Sequence, residues 1–469
     1  MKKRITFLLV LAMVLSLCAC TGSGNAGGET TAPAAAGLQV GFSKVNITPD
    51  YSVGMDGHSN SETRLSEGFQ DHIFITCIAV AEGEETILLY TVDNLAFSHT
   101  RAEDLRKLVT GATGIPGEKI FVGATHDHSA PALGAGSAGK KYYQELLLWG
   151  LQAAEEALAD LTPATALATT THAPGMNFIR HYLLNDGTYG GSNFGDFSKG
   201  IKDYARETDD RMILVKFDRE GDKKDVLMVN WAAHPDYGGG LSETIISSDF
   251  PGALRDKLAA DTDCLVAYFT AASGDQNPKS RITADNHNLV TYKDYGEKLA
   301  EIAYNGLSNL QPVEGATIQT NRVMFEVEVD HSLDNKISEA RLVYDHWKST
   351  TKAAGDALAK EYGLKGVYQA RGIINRYGMD ETMTLELNTF RIGDLGFITG
   401  TYEMFSTTGK YAREHSPFEN TFIITGCSSY IPCAEAYDYG SYEAVSAYYA
   451  QGTAEKLAEQ YVKMLTEIQ

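Results

Sequence analysis

The chain has 469 residues, with 61 acidic residues against 40 basic ones and a formal net charge of −21. That balance argues against a nucleic-acid partner, because such proteins present basic patches to phosphate. Six cysteines in so long a chain make no disulfide framework, and the lack of any Cys-x-x-Cys pair argues against a thiolate zinc site.

Lys2, Lys3 and Arg4 form a positive start, followed by an apolar run from Ile5 to Leu17 that is short for a bilayer span. The run ends in Leu17-Cys18-Ala19-Cys20, a small residue directly before a cysteine. This is the pattern of a bacterial lipoprotein signal, so residues 1–20 read as a signal peptide with Cys20 as the lipidated N-terminus. The expected location is outside the cytoplasm, anchored to a membrane. Without the three leader cations, 37 basic residues face the same 61 acidic ones, a net charge of −24. Residues 21–37 are mostly Gly, Thr, Ala and Ser and read as a flexible tether. The folded part is expected over residues 38–469.

Strand-like and helix-like segments then alternate. Thr86–Thr91 reads as a strand, Thr100–Thr113 as a helix, Lys119–Thr125 as a strand and Lys140–Leu161 as a segment holding a long helix. Asp225–Trp231 reads as a strand, Phe250–Ala260 as a helix opened by Pro251, Cys264–Thr270 as a strand and Lys293–Leu310 as a helix. Ser332–Met379 is charged and helical, in the manner of a helical hairpin. Strands return at Thr384–Phe390, Leu395–Thr399 and Thr421–Thr425, and Glu455–Ile468 closes the chain as an amphipathic helix. The alternation predicts an α/β fold, a mixed sheet flanked by helices. Thr188–Ser198, rich in glycine and aromatic residues, reads as an exposed loop or lid.

Reactive side chains cluster just after strands. Asp93 follows the first of them, His126 and His128 the next, His234 and Gly274-Asp275 the middle pair, and Glu403 and Tyr430 the last two. In α/β sheets, ligands bind outside the carboxyl ends of strands, so the active site is expected there. In His126-Asp127-His128, extended residues at i and i+2 share a face. Both imidazoles can then reach one metal, or one can bind metal while the other serves the substrate. Asp93, Asp249 and Asp275 are expected to orient ligands and shape loops, or to cap helices and turns. Cys427 and Cys433 lie close enough in sequence to pair, though nothing requires it.

Several segments, in this order, resemble the neutral/alkaline (non-lysosomal) ceramidases from about Val40 onward. They are Val40-Gly-Phe-Ser-Lys-Val-Asn-Ile-Thr-Pro49, Ala124-Thr-His-Asp-His-Ser-Ala-Pro131, Asn230-Trp-Ala-Ala-His-Pro235, Ser247-Ser-Asp-Phe-Pro-Gly252, Ala272-Ser-Gly-Asp-Gln-Asn-Pro278, Gly400-Thr-Tyr-Glu403, Tyr430-Ile-Pro and Tyr442-Glu443. The resemblance implies a catalytic domain without the C-terminal β-domain of full-length ceramidases. It implies a zinc ion held by His126, His234, Glu403 and Tyr430. His128 would lie near the reacting carbonyl, Tyr442 would be a second active-site tyrosine, and Arg180, in Asn177-Phe-Ile-Arg180, would face the substrate. The implied activity is zinc-dependent hydrolysis of the N-acyl amide of a ceramide-like lipid. Two positions depart from the family: Asn277 stands where ceramidases carry a serine, and Asp127 stands for the usual threonine. Another N-acyl amide or ester as substrate, or a non-catalytic surface binding lipoprotein on the same scaffold, remain as alternatives.

Overall fold

A computed structural model of the chain describes residues 37–58, 61–237, 242–278 and 289–469. The leader, Cys20 and nearly all of the expected tether lie outside the described residues.

The main sheet is built from apolar, β-branched runs whose two faces are both covered. Its strands are β1 (Gln39–Asn46), β2 (Phe74–Glu82), β3 (Glu85–Val92), β4 (Ile120–Ala124), β5 (Thr162–His172), β6 (Arg211–Arg219), β7 (Val226–Trp231) and β8 (Leu265–Thr270). They lie in the order β8-β7-β6-β5-β1-β2-β3-β4, and Gln311–Pro312 adds a short ninth member on β5. The pairs at the two edges, β3–β4 and β7–β8, are parallel, while the strands between them are antiparallel. The expected mixed sheet is therefore present.

A second sheet of four strands follows: β9 (Ile318–Glu328), β10 (Thr382–Ile392), β11 (Leu395–Gly400) and β12 (Asn420–Thr425). Its last pair, β11–β12, is again parallel. The two sheets pack face to face. Ile78, Val80, Leu89 and Phe269 of the first share one core with Phe390, Phe397 and Phe422 of the second. Phe121 stacks on Phe390 at 4.3 Å between ring centres. The outer faces are covered by helices. α1 (His99–Thr113) and α2 (Gly136–Ala159) bury Leu105 and Leu146 against Ile75 and Tyr90. α3 (Asp249–Thr262) and α4 (Tyr292–Gly306) bury Leu254 and Leu299 against Val229 and Trp231. The C-terminal helix Thr453–Glu467 lays Leu457, Tyr461 and Met464 on the second sheet. Each such aliphatic or aromatic side chain contributes about 1.5–3 kcal/mol on burial. Alternation in sequence signalled sheets and helices but not their division into two stacked sheets.

The segment expected as a helical hairpin is instead three helices, Ile337–Ser349, Lys352–Glu361 and Val367–Arg376, around a small core of Val343, Ala359, Val367 and Ile373. Thr351, whose side chain accepts from the amide of Ala354, starts the second of them and divides what reads as one helical stretch. Among the described residues, no helix is long and apolar enough to cross a membrane.

The sheet edges are tied to one another by side chains. The Thr91 hydroxyl on β3 donates to Tyr268 O on β8 at 2.7 Å, and Thr270 on β8 donates to Thr125 O beyond β4 at 2.6 Å. Thr425 of β12 donates to Thr270 O at 3.0 Å. Asn230 of β7 donates to Phe269 O at 2.9 Å and to Ile423 O at 2.7 Å. Both edges of the main sheet and the edge of the second are thus laced together, and the three parallel pairs present their carboxyl ends in one place.

Candidate metal centre

Each parallel pair delivers ligand-type side chains to that place. His126 follows β4, His234 follows β7, and Glu403 and Tyr430 follow β11 and β12, where two-residue strands pair Glu403 directly with Tyr430. His126, His234 and Glu403 are buried, and Tyr430 is half-buried.

The tautomers of both histidines follow from their backbone partners. His126 Nδ1 lies 2.8 Å from Leu95 O, and His234 Nδ1 lies 2.8 Å from Ser273 O. A carbonyl only accepts, so each Nδ1 carries the proton and each Nε2 offers a lone pair. Those lone pairs lie 3.4 and 3.0 Å from Glu403 Oε1, which has no hydrogen-bond donor. Three buried electron-pair acceptor atoms therefore converge, and they can be satisfied together only by positive charge, as an added proton or a metal cation, an arrangement that fits a metal. Charge behaviour agrees. Burial disfavours the Glu403 carboxylate, yet His126 and His234 outweigh it and bring its pKa down to about 2. Burial likewise disfavours a charged His126, but Glu403 and Cys427 outweigh it and raise its pKa. Burial, Arg180 and His126 lower that of His234 to about 4. The site calls for positive charge.

His128 is the third imidazole of the cluster, its Nε2 3.4 Å from His126 Nε2. The rings come together for a different reason than the expected extended geometry: His126 has φ of +67°, so the segment turns at the first histidine. The other nitrogen of His128, Nδ1, is buried without a hydrogen bond and lies 3.9 Å from the Asp236 carboxylate. Burial, with the nearby charges of His126 and His234, holds the His128 pKa well below its usual value. Two glycines permit these approaches. A Cβ on Gly57 (φ +92°) would sit 2.6 Å from His128 Cα, and one on Gly274 would sit 2.9 Å from Met404 O and 3.2 Å from Glu403 O.

Arg180 stands at the centre of this cluster. It is 8 % exposed. Its NH1 donates to His234 Nε2 at 3.0 Å and to Asn277 Oδ1 at 3.4 Å, and its NH2 donates to Tyr430 OH at 3.0 Å and to Gly274 O at 2.9 Å. A cation at His234 would require NH1 to leave that nitrogen, freeing one of its donors. Burial and the Glu403 charge raise the pKa of Tyr430, with Arg180 opposing, so its phenol keeps its proton. Asn277 faces Phe178 across a short antiparallel ladder. Tyr442 stands behind Tyr430, its ring 6.1 Å away and packed on Tyr368 at 4.8 Å.

Sequence reasoning did not assign what holds Arg180. Glu443 is fully buried, accepts from Arg180 Nε at 2.7 Å and meets His181 Nε2 at 2.9 Å. Tyr439 OH lies 2.7 Å from the other ring nitrogen of His181. The only signals were adjacency: His181 follows Arg180, and Glu443 follows Tyr442. The loop expected at 188–198 is exposed over most of its length, but its first part folds back here. Tyr189–Gly191 is a strand, and Tyr189 and Phe194 stack on Tyr439 at 4.4 and 5.9 Å.

The aspartates shape the frame. Asp93 accepts two hydrogen bonds from Arg255 at 2.7 and 2.6 Å, and Asp275 takes the amide and hydroxyl of Ser406 at 2.7 and 3.0 Å, just past Glu403. Asp249 accepts from the amides of Tyr237 and Phe250 at the start of α3. Cys427 and Cys433 are both buried and free.

No family model matches the chain, and no curated protein matches its sequence. Solved structures do. Neutral ceramidase from Pseudomonas aeruginosa is similar with a TM-score of 0.67 at 14% identity, over 92% of this chain and 74% of that one. A ceramidase complexed with C2 is similar with a TM-score of 0.67 at 15% identity, over 92% of this chain and 75% of that one. The chain has a neutral ceramidase-like fold, with a candidate metal-binding cluster at the carboxyl ends of its parallel strands.

Proposed function

We propose that the chain is a zinc-dependent amidohydrolase that cleaves the N-acyl amide of ceramide-like lipids to a fatty acid and a sphingoid base. The observation that carries this reading is the buried meeting of the His126 and His234 Nε2 lone pairs with the donorless Glu403 Oε1. Two neutral imidazoles and a carboxylate, with Tyr430 beside them, are a donor set for catalytic zinc. Zinc held there would polarise the amide carbonyl and activate water, so no side-chain nucleophile is required.

The surrounding residues divide the remaining work. Arg180 NH1 and the Tyr430 hydroxyl, itself held by Arg180 NH2, supply donors for charge developing on the carbonyl oxygen, with Tyr442 behind them. His128, neutral and placed between His126 and Asp236, would take a proton from the attacking water and pass it to the leaving amine. Asn277, in contact with Arg180, orients substrate or water through its amide.

Asn277→Ala is expected to slow hydrolysis of a fluorescent N-acyl sphingosine by roughly 10²–10³-fold, as for loss of an oriented donor, while zinc stays bound. Asn277→Ser is expected to shift preference toward ceramide. Asn277 in place of the ceramidase serine also favours a second reading, hydrolysis of another N-acyl amide or ester. Cleavage of simple N-acyl amides but not N-acyl sphingosine by the zinc-loaded wild type would establish it. Cleavage of neither, with Asn277→Ser gaining ceramide hydrolysis, would reject catalysis without a side-chain nucleophile and leave a surface binding protein or an enzyme for other bonds.

We also propose that Cys20 carries a lipid that holds the protein to a membrane outside the cytoplasm. Cys20→Ser is then expected to move it from the membrane fraction to the soluble one on fractionation. Unchanged retention would contradict the anchor.

A further inference from the structure

A cleft of 760 Å³ is lined in part by Asn177 and Phe178, on the strand that leads into Arg180, within the range of about 300–1,000 Å³ usual for small-molecule sites. Phe178 and Tyr204 form an aromatic wall, with ring centres 6.0 Å apart. Tyr204 is 37 % exposed. Phe178 is the residue paired with Asn277, so the wall begins where the site described above ends.

Several charges of the lining are met by partners, while Asp203 and Glu414 carry no ion pair among the described residues and leave the cleft acidic. Asp209 meets Arg211 at 2.7 Å and Arg413 at 2.9 Å, Asp210 meets His172 at 2.8 Å, and Arg206 meets Asp275 at 3.0 Å and Glu435 at 2.9 Å. One buried acceptor is left over. Asn177 is 4 % exposed and donates from Nδ2 to Asp209 O and Ala232 O, but its Oδ1 has no partner.

These features select a ligand chemistry. An anionic ligand would meet the unpaired carboxylates of Asp203 and Glu414, and an aliphatic one would strip water from guanidinium and carboxylate groups without replacing its hydrogen bonds. A neutral group with apolar C–H faces and a ring of hydroxyls satisfies both requirements, stacking on Phe178 and Tyr204 while its hydroxyls bond to the paired charges. We infer that the cleft is a saccharide subsite, which takes the sugar headgroup of a glycosylated N-acyl lipid whose amide lies at the metal centre. This rests on the amidohydrolase reading for the second half of the statement only; binding of the sugar does not.

The test separates the two. Saturation-transfer NMR on the whole protein, with methyl glucoside, lactose and chitobiose as probes, is expected to show binding by wild type. Tyr204→Ala, at an exposed position, should weaken it by about tenfold, a loss of about 1.4 kcal/mol. In kinetics, Tyr204→Ala should raise KM for N-acyl glucosylsphingosine and leave KM for N-acyl sphingosine unchanged. Saccharide binding lost in Tyr204→Ala, with no amide hydrolysed by wild type, would sustain the subsite and reject the amidohydrolase. Absence of binding by all three sugars, binding unaffected by Tyr204→Ala, or preference for tetramethylammonium over the sugars would overturn the inference.

Discussion

His126→Ala and His234→Ala are each expected to lose most of the bound zinc and, with it, amide hydrolysis. Each imidazole supplies one of the three lone pairs that meet in the buried cluster, and each is oriented by its own backbone carbonyl, Leu95 O or Ser273 O. Loss of a residue that merely orients a ligand costs about 10–100-fold in metal affinity, so loss of the ligand itself costs more. Alanine also leaves the Glu403 carboxylate buried with one imidazole fewer beside it, which weakens the fold locally as well as the site. Metal analysis after desalting checks this. Full zinc occupancy in both variants would remove these histidines from the ligand set.

Glu443→Ala has the second large effect, on stability first and on catalysis through Arg180. Glu443 is fully buried between Arg180 and His181. Removing it strands a buried guanidinium, at a cost of about 3–5 kcal/mol, and frees Arg180 from the position in which it reaches His234, Tyr430 and Asn277. The pH dependence has a definite sign. Burial opposes the Glu443 charge, but His181 and Arg180 outweigh it and hold its carboxyl far below the ordinary value of 4.5. The stabilisation is thus complete above the unfolded-state pKa and declines as pH falls below it toward the folded one. Urea unfolding should show a wide gap between wild type and Glu443→Ala at neutral pH that narrows in acid. Glu443→Gln, which keeps shape and one acceptor, should recover part of both stability and turnover. A gap independent of pH would mean that the charge of Glu443 is not what matters.

The strand-end placement of His126, His234, Glu403 and Tyr430 was legible in sequence because each follows an apolar run, and the resemblance supplied the grouping. Their meeting was not legible, because it depends on three parallel pairs from two sheets being laced through Thr91, Thr270, Thr425 and Asn230. These are side-chain to backbone bonds between distant segments, and they leave no periodic mark. Glu443 and His181 were hidden for the same reason, since a buried acid 262 residues from its imidazole partner looks like any other polar residue in a list. The strand at Tyr189–Gly191 was masked by glycines, which carry no side-chain pattern; its pairing with His181–Leu184 and its stacking on Tyr439 order it against the core.

The most direct test combines metal content and turnover in one sample of the purified protein. Zinc is measured per chain, removed with a chelator and restored, while release of fatty acid from N-acyl sphingosine and from simpler N-acyl amides is followed. The expected result is one zinc per chain, hydrolysis that disappears with the metal, and recovery when zinc returns. Undiminished hydrolysis by the metal-free protein would contradict the account.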